Sequence, residues 1–422
     1  MTLAGGILLV AILAGGYMAW NIGANDVANA MGTSVGSGAL TLRRAVILAG
    51  IFEFLGAVLV GSHVTDTIRG KILDVDAFEV AGGMGANGPL ILALGMLSAL
   101  LAAGLWLHLA TFLSLPVSTT HSIVGALIGV GLVSLGLDGI DWGTVRNIVL
   151  SWFVSPLLGG VLGYLTFVMV RRRVLRSRDP IHETRTVAPY LIVVVVSLIV
   201  LSFTYKALNN VLDAPPLVMA VGVALAIGVV GGLITAVGLR LRPAPVDAEP
   251  YRYVEGVFAG LQVVTACYVA FAHGANDVAN AIGPVAAVVN LSNNGFNSLA
   301  TQVPVPPWVL MLGGVGILLG LATYGYRVIA TIGKEITEMT PTRGFSAEFG
   351  AATTVLVASR LGLPVSTTHT LVGSVIGVGF AQGIAALNIR VIRNIVGSWI
   401  ATVPAAAAVA ALLFLVLRFT LV

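Results

Sequence analysis

Charged side chains are scarce in this sequence: Asp, Glu, Lys and Arg make up 9% of its 422 residues, while 57% are hydrophobic. A soluble core cannot hide so large an apolar share, so a soluble globular protein is excluded and a polytopic membrane protein is indicated. Cysteine occurs once, at Cys267, which excludes a disulfide framework and a thiolate metal cluster within one chain. The nucleotide-binding stretch G-x-x-x-x-G-K-[ST] does not occur, so ATP hydrolysis by this chain is not expected.

Long apolar runs predict an all-α protein, because lipid offers no partner to backbone groups and a barrel strand would alternate in hydrophobicity. We predict twelve spans, at residues 3–22, 45–61, 89–109, 116–134, 145–170, 187–203, 216–238, 254–274, 308–326, 347–361, 364–382 and 392–416. The strongest basic cluster is "RRRVLRSRDP" at 171–180, and Lys and Arg concentrate on the cytoplasmic side. Placing it inside puts sixteen of the 22 Lys and Arg residues inside. The expected location is the plasma membrane, with both termini outside.

An internal repeat divides the chain. Three blocks recur: "GANDVANA" at 23–30 and 274–281, "LPVSTTHSIVGALIGVG" at 115–131 with "LPVSTTHTLVGSVIGVG" at 363–379, and "RNIVLSW" at 146–152 with "RNIVGSW" at 393–399. The offsets of 251, 248 and 247 residues indicate a duplicated unit of five spans. We predict repeats at 1–170 and 254–422, joined by a linking region at 171–253 that holds two spans and basic loops. Because five is odd, the second copy is inverted, as in secondary transporters with a midplane site.

The octapeptide places a carboxylate and two carboxamides inside apolar spans, where polar groups are costly and kept for a use. We expect its glycine to break the helix and free carbonyl groups beside the polar side chains. Carboxylate, amide and carbonyl oxygens suit a hard cation, whereas a transition metal prefers imidazole or thiolate, which the octapeptide lacks. The expected cation ligands are Asn25, Asp26, Asn276 and Asp277, supported by Asn29 and Asn280.

The "PVSTTH" motif predicts an anion site. Its proline, Pro116 or Pro364, ends one helix, and hydroxyl residues follow where the next helix begins. Helix N-termini attract anions through free N–H groups and the dipole. Two such termini could hold one tetrahedral oxyanion with Ser118, Thr119, Thr120, Ser366, Thr367 and Thr368. His121 and His369 end the two motifs, and we expect each to orient its loop by a hydrogen bond.

A carboxylate repels a phosphate-like anion, so the anion site and the carboxylates can lie side by side only if cations lie between them. Na⁺ or protons travelling with the anion would also overcome the negative cell interior, which opposes entry by about 2.3 kcal/mol per charge per 100 mV. Glu53 and Glu348 have apolar neighbours in sequence and are candidates for a further cation or proton site. His273 precedes the second octapeptide, where the first copy has Ile22.

These motifs resemble those of the inorganic phosphate transporter family, the sodium- or proton-coupled phosphate symporters, and the likeness extends across most of the chain. The resemblance implies that Asn25, Asp26, Asn276 and Asp277 are linked to cations, and that the six hydroxyl residues are linked to phosphate. It also implies that Glu53 and Glu348 are essential intramembrane acids and that His273 is the family's histidine before the second signature. Some relatives carry an acid in the third span, where this chain reads "LGMLSALL", which leaves the number of coupled cations open.

The sequence therefore predicts a symporter that imports phosphate with Na⁺ by alternating access and needs no cofactor. A proton-coupled symporter and a sulfate permease are the alternatives within the fold, and an anion channel is the alternative from another class. Paired carboxamides, useless to a proton, favour Na⁺, and carboxylates that can accept a hydrogen bond favour protonated phosphate over sulfate. An intramembrane hydrolase built on Ser118 and His121 is not expected, because neither motif carries a partner acid. The expected partners are phosphate, sodium ions and the lipid bilayer, with no nucleic acid, and a homo-oligomer is compatible with the sequence.

Overall fold

The computed structural model describes residues 3–62, 65, 68, 71–74, 77, 78, 88–207, 217–241, 249–294, 296, 305–330, 336–361 and 363–422. The predicted first repeat contains α1 (Leu3–Gly36), α2 (Leu42–Val60), α3 (Gly88–Phe112), α4 (Thr119–Ser134) and α5 (Trp142–Val170). The predicted linking region contains a π-helical turn (Arg171–Leu175), α6 (Pro180–Ala207) and α7 (Leu217–Leu241). The predicted second repeat contains α8 (Pro250–Asn293), α9 (Pro307–Tyr324), α10 (Tyr326–Ala330), α11 (Pro341–Arg360), α12 (Thr367–Gln382) and α13 (Ile389–Leu421).

Helices occupy all twelve predicted spans, and the described residues form no strand, so the predicted fold class of a polytopic all-α membrane protein is confirmed. Eight helices in this part of the chain are long and apolar enough to cross a membrane. The longer helices outside that group are α2, α4, α11 and α12. Two of these are only 16 residues long, and the other two carry acidic and basic residues within their length. These four helices carry Glu53, Glu348 and the two threonine pairs of the "STT" runs.

The predicted break at the octapeptide is wrong. Both copies of "GANDVANA" lie inside uninterrupted helices, because α1 continues to Gly36 and α8 to Asn293. The glycine serves close packing instead. A Cβ on Gly23 would collide with the carbonyl oxygen of Ile317, and one on Gly274 would collide with that of Glu53. The glycines therefore let α1 approach α9, and α8 approach α2, at backbone distance.

The predicted breaks at "PVSTTH" are confirmed. The helix α3 ends at Phe112 and α4 starts at Thr119, and in the second copy α11 ends at Arg360 and α12 starts at Thr367. Proline in each connection cannot donate a backbone hydrogen bond, and the serine after it caps the new helix. Each repeat thus contains two helices joined by a short turn, and we call the turn together with the first two residues of the helix after it the hairpin tip (residues 113–120 in the first repeat, and 361 with 363–368 in the second).

The short helices α4 and α12 each pack on the last helix of the opposite repeat. Gly125 and Gly129 of α4 lie against the backbone of Val403 and Ala407 in α13. In the second repeat, Gly373 of α12 lies against Pro156 in α5, and Gly377 lies against Gly160. The pair α4 and α13 and the pair α5 and α12 therefore each join one hairpin to the opposite repeat.

The outer helices face lipid with large apolar side chains. Leu157 on α5, Val218 on α7 and Phe419 on α13 are 69%, 83% and 91% exposed in the isolated chain. The polar side chains of both octapeptides are 0–1% exposed. Apolar side chains on the outside and polar side chains at the centre, the reverse of a water-soluble protein, are what a lipid bilayer favours.

Candidate functional site

Each hairpin tip ends in a capped helix start with the same geometry. Ser118 adopts φ −87° and ψ 120°, and its hydroxyl accepts a hydrogen bond from the backbone N–H of His121 at 3.1 Å. Ser366 adopts φ −85° and ψ 111°, and accepts from the N–H of His369 at 3.2 Å. Extended backbone at the cap followed by a helix is the expected N-cap conformation. The predicted caps are therefore present in both copies.

The first asparagine of each octapeptide holds the tip of its own repeat. Asn25 donates through Nδ2 to Thr111 Oγ1 at 2.9 Å and to the Leu115 carbonyl at 3.1 Å, and its Oδ1 accepts from Val117 N at 3.2 Å. These bonds fix the end of α3 and the tip after it to α1, so the first role of Asn25 that the geometry supports is that of an anchor.

The second copy repeats this arrangement. With its amide oriented to satisfy both ends, Asn276 accepts from Ser359 Oγ at 2.9 Å and donates to the Val365 carbonyl at 3.3 Å and to Asp277 Oδ1 at 3.0 Å. Thr111 and Ser359 lie 248 residues apart, the offset of the "LPVSTTH" block. That equal offset was the signal by which the sequence could have revealed both anchoring hydroxyls, which we did not predict. That Asn25 and Asn276 also bind a cation stays a prediction.

The second asparagine of each octapeptide crosses to the tip of the other repeat. Asn29 donates to Thr368 Oγ1 at 2.7 Å and to Asp26 Oδ1 at 2.9 Å. Asn280 donates to Thr119 Oγ1 at 3.2 Å and to Thr120 Oγ1 at 3.3 Å. The octapeptides and the hydroxyl runs, far apart in sequence, therefore form one buried cluster.

The aspartates accept from the hydroxyl runs. Thr367 donates to Asp277 Oδ2 at 2.7 Å, and Thr368 lies 3.2 Å from Asp26 Oδ1. The two tips also contact each other directly, since Thr120 Oγ1 lies 3.2 Å from the Val365 carbonyl and Thr368 Oγ1 lies 3.2 Å from the Val117 carbonyl. Hydroxyls can change partner by rotation, so this set can serve an anion, a cation or each other.

His273 lies among three carboxylates. Its Nδ1 is 3.2 Å from Glu53 Oε1, and its Nε2 is 3.0 Å from Asp277 Oδ2 and 3.7 Å from Asp26 Oδ2. Asp26, His273 and Asp277 each offer a ligand atom within 4.8 Å of the others, an arrangement that could hold a metal ion. Among the described residues, His273 is the one basic side chain within ion-pair distance of these carboxylates. With all three acids ionised, even a protonated imidazole leaves the cluster negative.

Glu348 lies in a separate polar cluster formed by the late part of α1 and the early part of α8. Its Oε1 accepts from Ser34 at 2.6 Å, Thr33 at 2.7 Å and Gln262 at 3.0 Å, and its Oε2 accepts from Thr265 at 2.6 Å. These four partners were not predicted. A Gln and a Thr three residues apart in the apolar start of α8 were the available signal, because such a pair shares one helix face.

The repeat symmetry is broken at both glutamates. Glu348 has Leu100 at the matching position of the first repeat, and His273 has Ile22. Glu53 packs against Gly274 as Ile317 packs against Gly23. Glu53 with His273, and Glu348 with its partners, are thus two polar groups without a polar counterpart at the matching positions of the other repeat.

The histidines of the two motifs contact tryptophans. The ring of His121 lies 3.6 Å from that of Trp152 between centroids, and the ring of His369 lies 3.5 Å from that of Trp399. That each histidine orients its loop by a hydrogen bond stays a prediction, and the two rings lie against tryptophans. The backbone N–H of each histidine bonds to the tip, at the serine cap.

The chain is similar in sequence and in structure to known phosphate transporters. Residues 22–410 match the phosphate transporter family. A phosphate permease of Pyrococcus abyssi is 48% identical over 97% of this chain and 98% of its own length. The chloroplastic inorganic phosphate transporter 2-1 of Arabidopsis thaliana is 43% identical over 94% of this chain and 70% of its own. The solved structure of a sodium-dependent phosphate transporter matches with a TM-score of 0.90 and 43% identity, over 99% of this chain and all of the other.

Proposed function

The chain belongs to the phosphate transporter family, and from that premise we propose that it is a secondary active transporter that imports inorganic phosphate together with sodium ions. The single observation that carries the proposal is the buried cluster in which two capped helix starts, one from each repeat, meet two aspartates. Transport of phosphate follows from the family. The coupling ion, the direction and the site residues are the proposal.

Phosphate would bind between the two helix starts. Ser118, Thr119 and Thr120 belong to one start and Ser366, Thr367 and Thr368 to the other, and all are 1–5% exposed. Each start offers free backbone N–H groups and the positive end of its dipole, which favour a polyanion. The hydroxyls that now bond across the tips would turn to the phosphate oxygens, as rotatable donors can.

Sodium would bind beside the phosphate at the carboxylates. Asp26 and Asp277 accept hydrogen bonds from hydroxyls and amides in the dry centre of the bundle, and an anion placed next to them needs a cation between. Asn29 and Asn280 add amide oxygens that have no hydrogen-bond partner among the described residues, and such oxygens suit a hard cation. Glu53 beside His273, and Glu348 in its own cluster, are proposed as further cation or proton positions.

Coupling follows from charge. A divalent anion entering a negative interior is opposed by about 2.3 kcal/mol per charge per 100 mV, so two sodium ions are needed to cancel that opposition and a third for the membrane potential to drive import. Alternating access around the cluster, with both chain termini outside the plasma membrane, is the proposed cycle. A channel would not need the bound cations, and a hydrolase would need a nucleophile and base, whereas Ser118 and Ser366 are engaged as helix caps.

Reconstitution tests the proposal. Purified protein in proteoliposomes is given radiolabelled phosphate with an inward Na⁺ gradient, with a proton gradient alone, and with excess unlabelled sulfate. We expect Na⁺-dependent uptake that sulfate does not compete away and that Asp26→Asn or Asp277→Asn abolishes. Equal uptake with protons alone would move the coupling ion to H⁺, and strong competition by sulfate would move the substrate to sulfate.

A further inference from the structure

Four aromatic rings form a continuous stack where the two hairpins meet. Trp152 and His121 lie 3.6 Å apart between ring centroids at 33°, His121 and His369 lie 4.3 Å apart at 70°, and His369 and Trp399 lie 3.5 Å apart at 22°. We call these four side chains the ring stack. The contact with Trp399 is stacked, the contact with Trp152 is tilted, and the contact between the two histidines is edge-on.

Successive rings of the stack belong alternately to two helix pairs, α4 with α13 and α5 with α12. His121 and Trp399 belong to the pair α4 and α13, whereas Trp152 and His369 belong to the pair α5 and α12. Each of the three ring contacts therefore joins one helix pair to the other. Any motion that separates the two helix starts has to open the ring stack.

The ring stack lies directly behind the proposed substrate hydroxyls. His121 follows Thr120 and His369 follows Thr368 in sequence, and each histidine N–H bonds to the serine that caps its helix. Thr120 and Thr368 in turn contact the carbonyl groups of Val365 and Val117 on the opposite tips. The spacing of the rings and the spacing of the hydroxyl runs are thus set by the same short segments of chain.

We propose that His121 and His369 are positioning residues for phosphate transport, and that their ring contacts hold the two hydroxyl-bearing helix starts at the separation that one tetrahedral oxyanion bridges. This rests on the proposed function of the cluster. The proposed role rests on ring contacts: both histidines are 4–5% exposed, and each ring touches one tryptophan and the other histidine. A role as phosphate ligand or proton carrier would require imidazole nitrogens, whereas stacking requires only a flat ring.

Substitution by leucine and by phenylalanine separates these roles. We expect His121→Leu and His369→Leu to raise the KM for phosphate about ten-fold, because each loses two ring contacts. Half-saturation by Na⁺ should stay near wild type, because the carboxylates are untouched. His121→Phe and His369→Phe keep a flat ring and should remain within about two-fold of the wild-type KM. The double leucine variant should be less than additive, since both changes remove the same central contact.

His108→Leu is the matched control. His108 is another intramembrane histidine, on α3, where it bonds to Tyr17 at 3.0 Å and lies outside the ring stack. Its replacement should leave the phosphate KM unchanged. A wild-type KM in both leucine variants would overturn the inference, and so would phenylalanine variants as impaired as leucine variants, which would assign the function to the imidazole nitrogens.

A distance measurement tests positioning without transport. In a Cys267→Ser background, nitroxide labels on cysteines at Leu113 and Leu361, exposed at the two tips, report their separation by pulsed electron resonance. We expect the leucine variants to broaden or lengthen the distance distribution and the phenylalanine variants to retain it. Unchanged distances would overturn the inference even if wild-type protein transports phosphate. If the leucine variants show the expected distance change but the wild-type protein takes up no phosphate, the proposed function alone is defeated.

Discussion

His273 lies between Glu53 and Asp277, with its Nδ1 3.2 Å from one carboxylate and its Nε2 3.0 Å from the other. The imidazole therefore links α2 and α8 at the height of the second octapeptide, with no counterpart in the first repeat, where Ile22 stands. A buried acid next to a buried base is stable only while both are present, because either alone is left unpaired in a medium of low dielectric constant.

Replacing His273 by glutamine tests this dependence. We expect His273→Gln to destabilise the protein by about 3 kcal/mol and to lower its melting temperature in detergent, because Glu53 and Asp277 lose their basic neighbour. Uptake by the folded protein should fall about ten-fold, the factor that corresponds to 1.4 kcal/mol of weakened binding at the adjacent carboxylate Asp277.

The double variant Glu53→Gln/His273→Gln is the control for that result. With both partners neutral, the unpaired charge at α2 disappears and part of the lost melting temperature should return. Additive destabilisation in the double variant would contradict a coupled pair.

Glu348 offers a separate test of cation number. Glu348→Gln keeps an acceptor oxygen for Thr33 and Ser34 and removes the charge. If Glu348 binds a coupled cation, the Hill coefficient for Na⁺ should fall and half-saturation should rise, whereas the KM for phosphate at saturating Na⁺ should change by less than about two-fold. Initial uptake rates measured as a function of Na⁺ concentration decide the outcome.

Glu255→Gln is the matched control for that variant. Glu255 lies on α8 near its start and binds the backbone N–H of Thr342 at 2.8 Å, outside the Glu348 cluster. It should leave the Na⁺ dependence unchanged. An unaltered Hill coefficient in Glu348→Gln would restrict the proposed cation positions to the central cluster.

Removing hydroxyls of the two runs is expected to raise the KM for phosphate, whereas removing the hydroxyls one turn further along the same helices is not. Thr120→Val and Thr368→Val remove hydroxyls that face the opposite repeat, and should raise the phosphate KM about ten-fold because buried partners are left unsatisfied. Ser122→Ala and Thr370→Val remove equally buried hydroxyls that bond to the carbonyl groups of Ser118 and Ser366 in their own helices. The second pair should keep a wild-type KM, and equal effects of both pairs would argue against a substrate role for the runs.

Local signals explain what the sequence could predict. Proline followed by a serine cap is a signal within six residues, and it predicted a helix start at each hydroxyl run, which the structure places at Thr119 and Thr367. The octapeptide glycine was misread because a helix break and a close helix contact require the same residue, and only the neighbouring backbone of Ile317 or Glu53 distinguishes them.

Contacts between side chains on different helices could not be predicted from local sequence signals. Asn29 and Thr368 are 339 residues apart, and their contact depends on how two hairpins register against two long helices. Glu348 and Gln262 were each visible as polar residues in apolar helices, but nothing in either segment shows which helix the other faces. The duplicated blocks indicate which residues of the two repeats occupy matching positions. They give no such guidance at His273, Glu53 and Glu348, because the two repeats differ there.

Gly23 and Gly274 provide the last prediction, on stability. Alanine at Gly274 would place a Cβ against the carbonyl oxygen of Glu53, and at Gly23 against that of Ile317. Backbone cannot move aside as a flexible side chain can, so we expect each substitution to destabilise the protein by about 1–3 kcal/mol. Gly256→Ala and Gly260→Ala on the same helix α8 meet nothing within 4 Å and should be neutral or stabilising, because alanine favours the helix. Melting temperatures in detergent compare the four variants directly. If Gly274→Ala melted like Gly260→Ala, close approach of α8 to α2 would not be the reason for the octapeptide glycine.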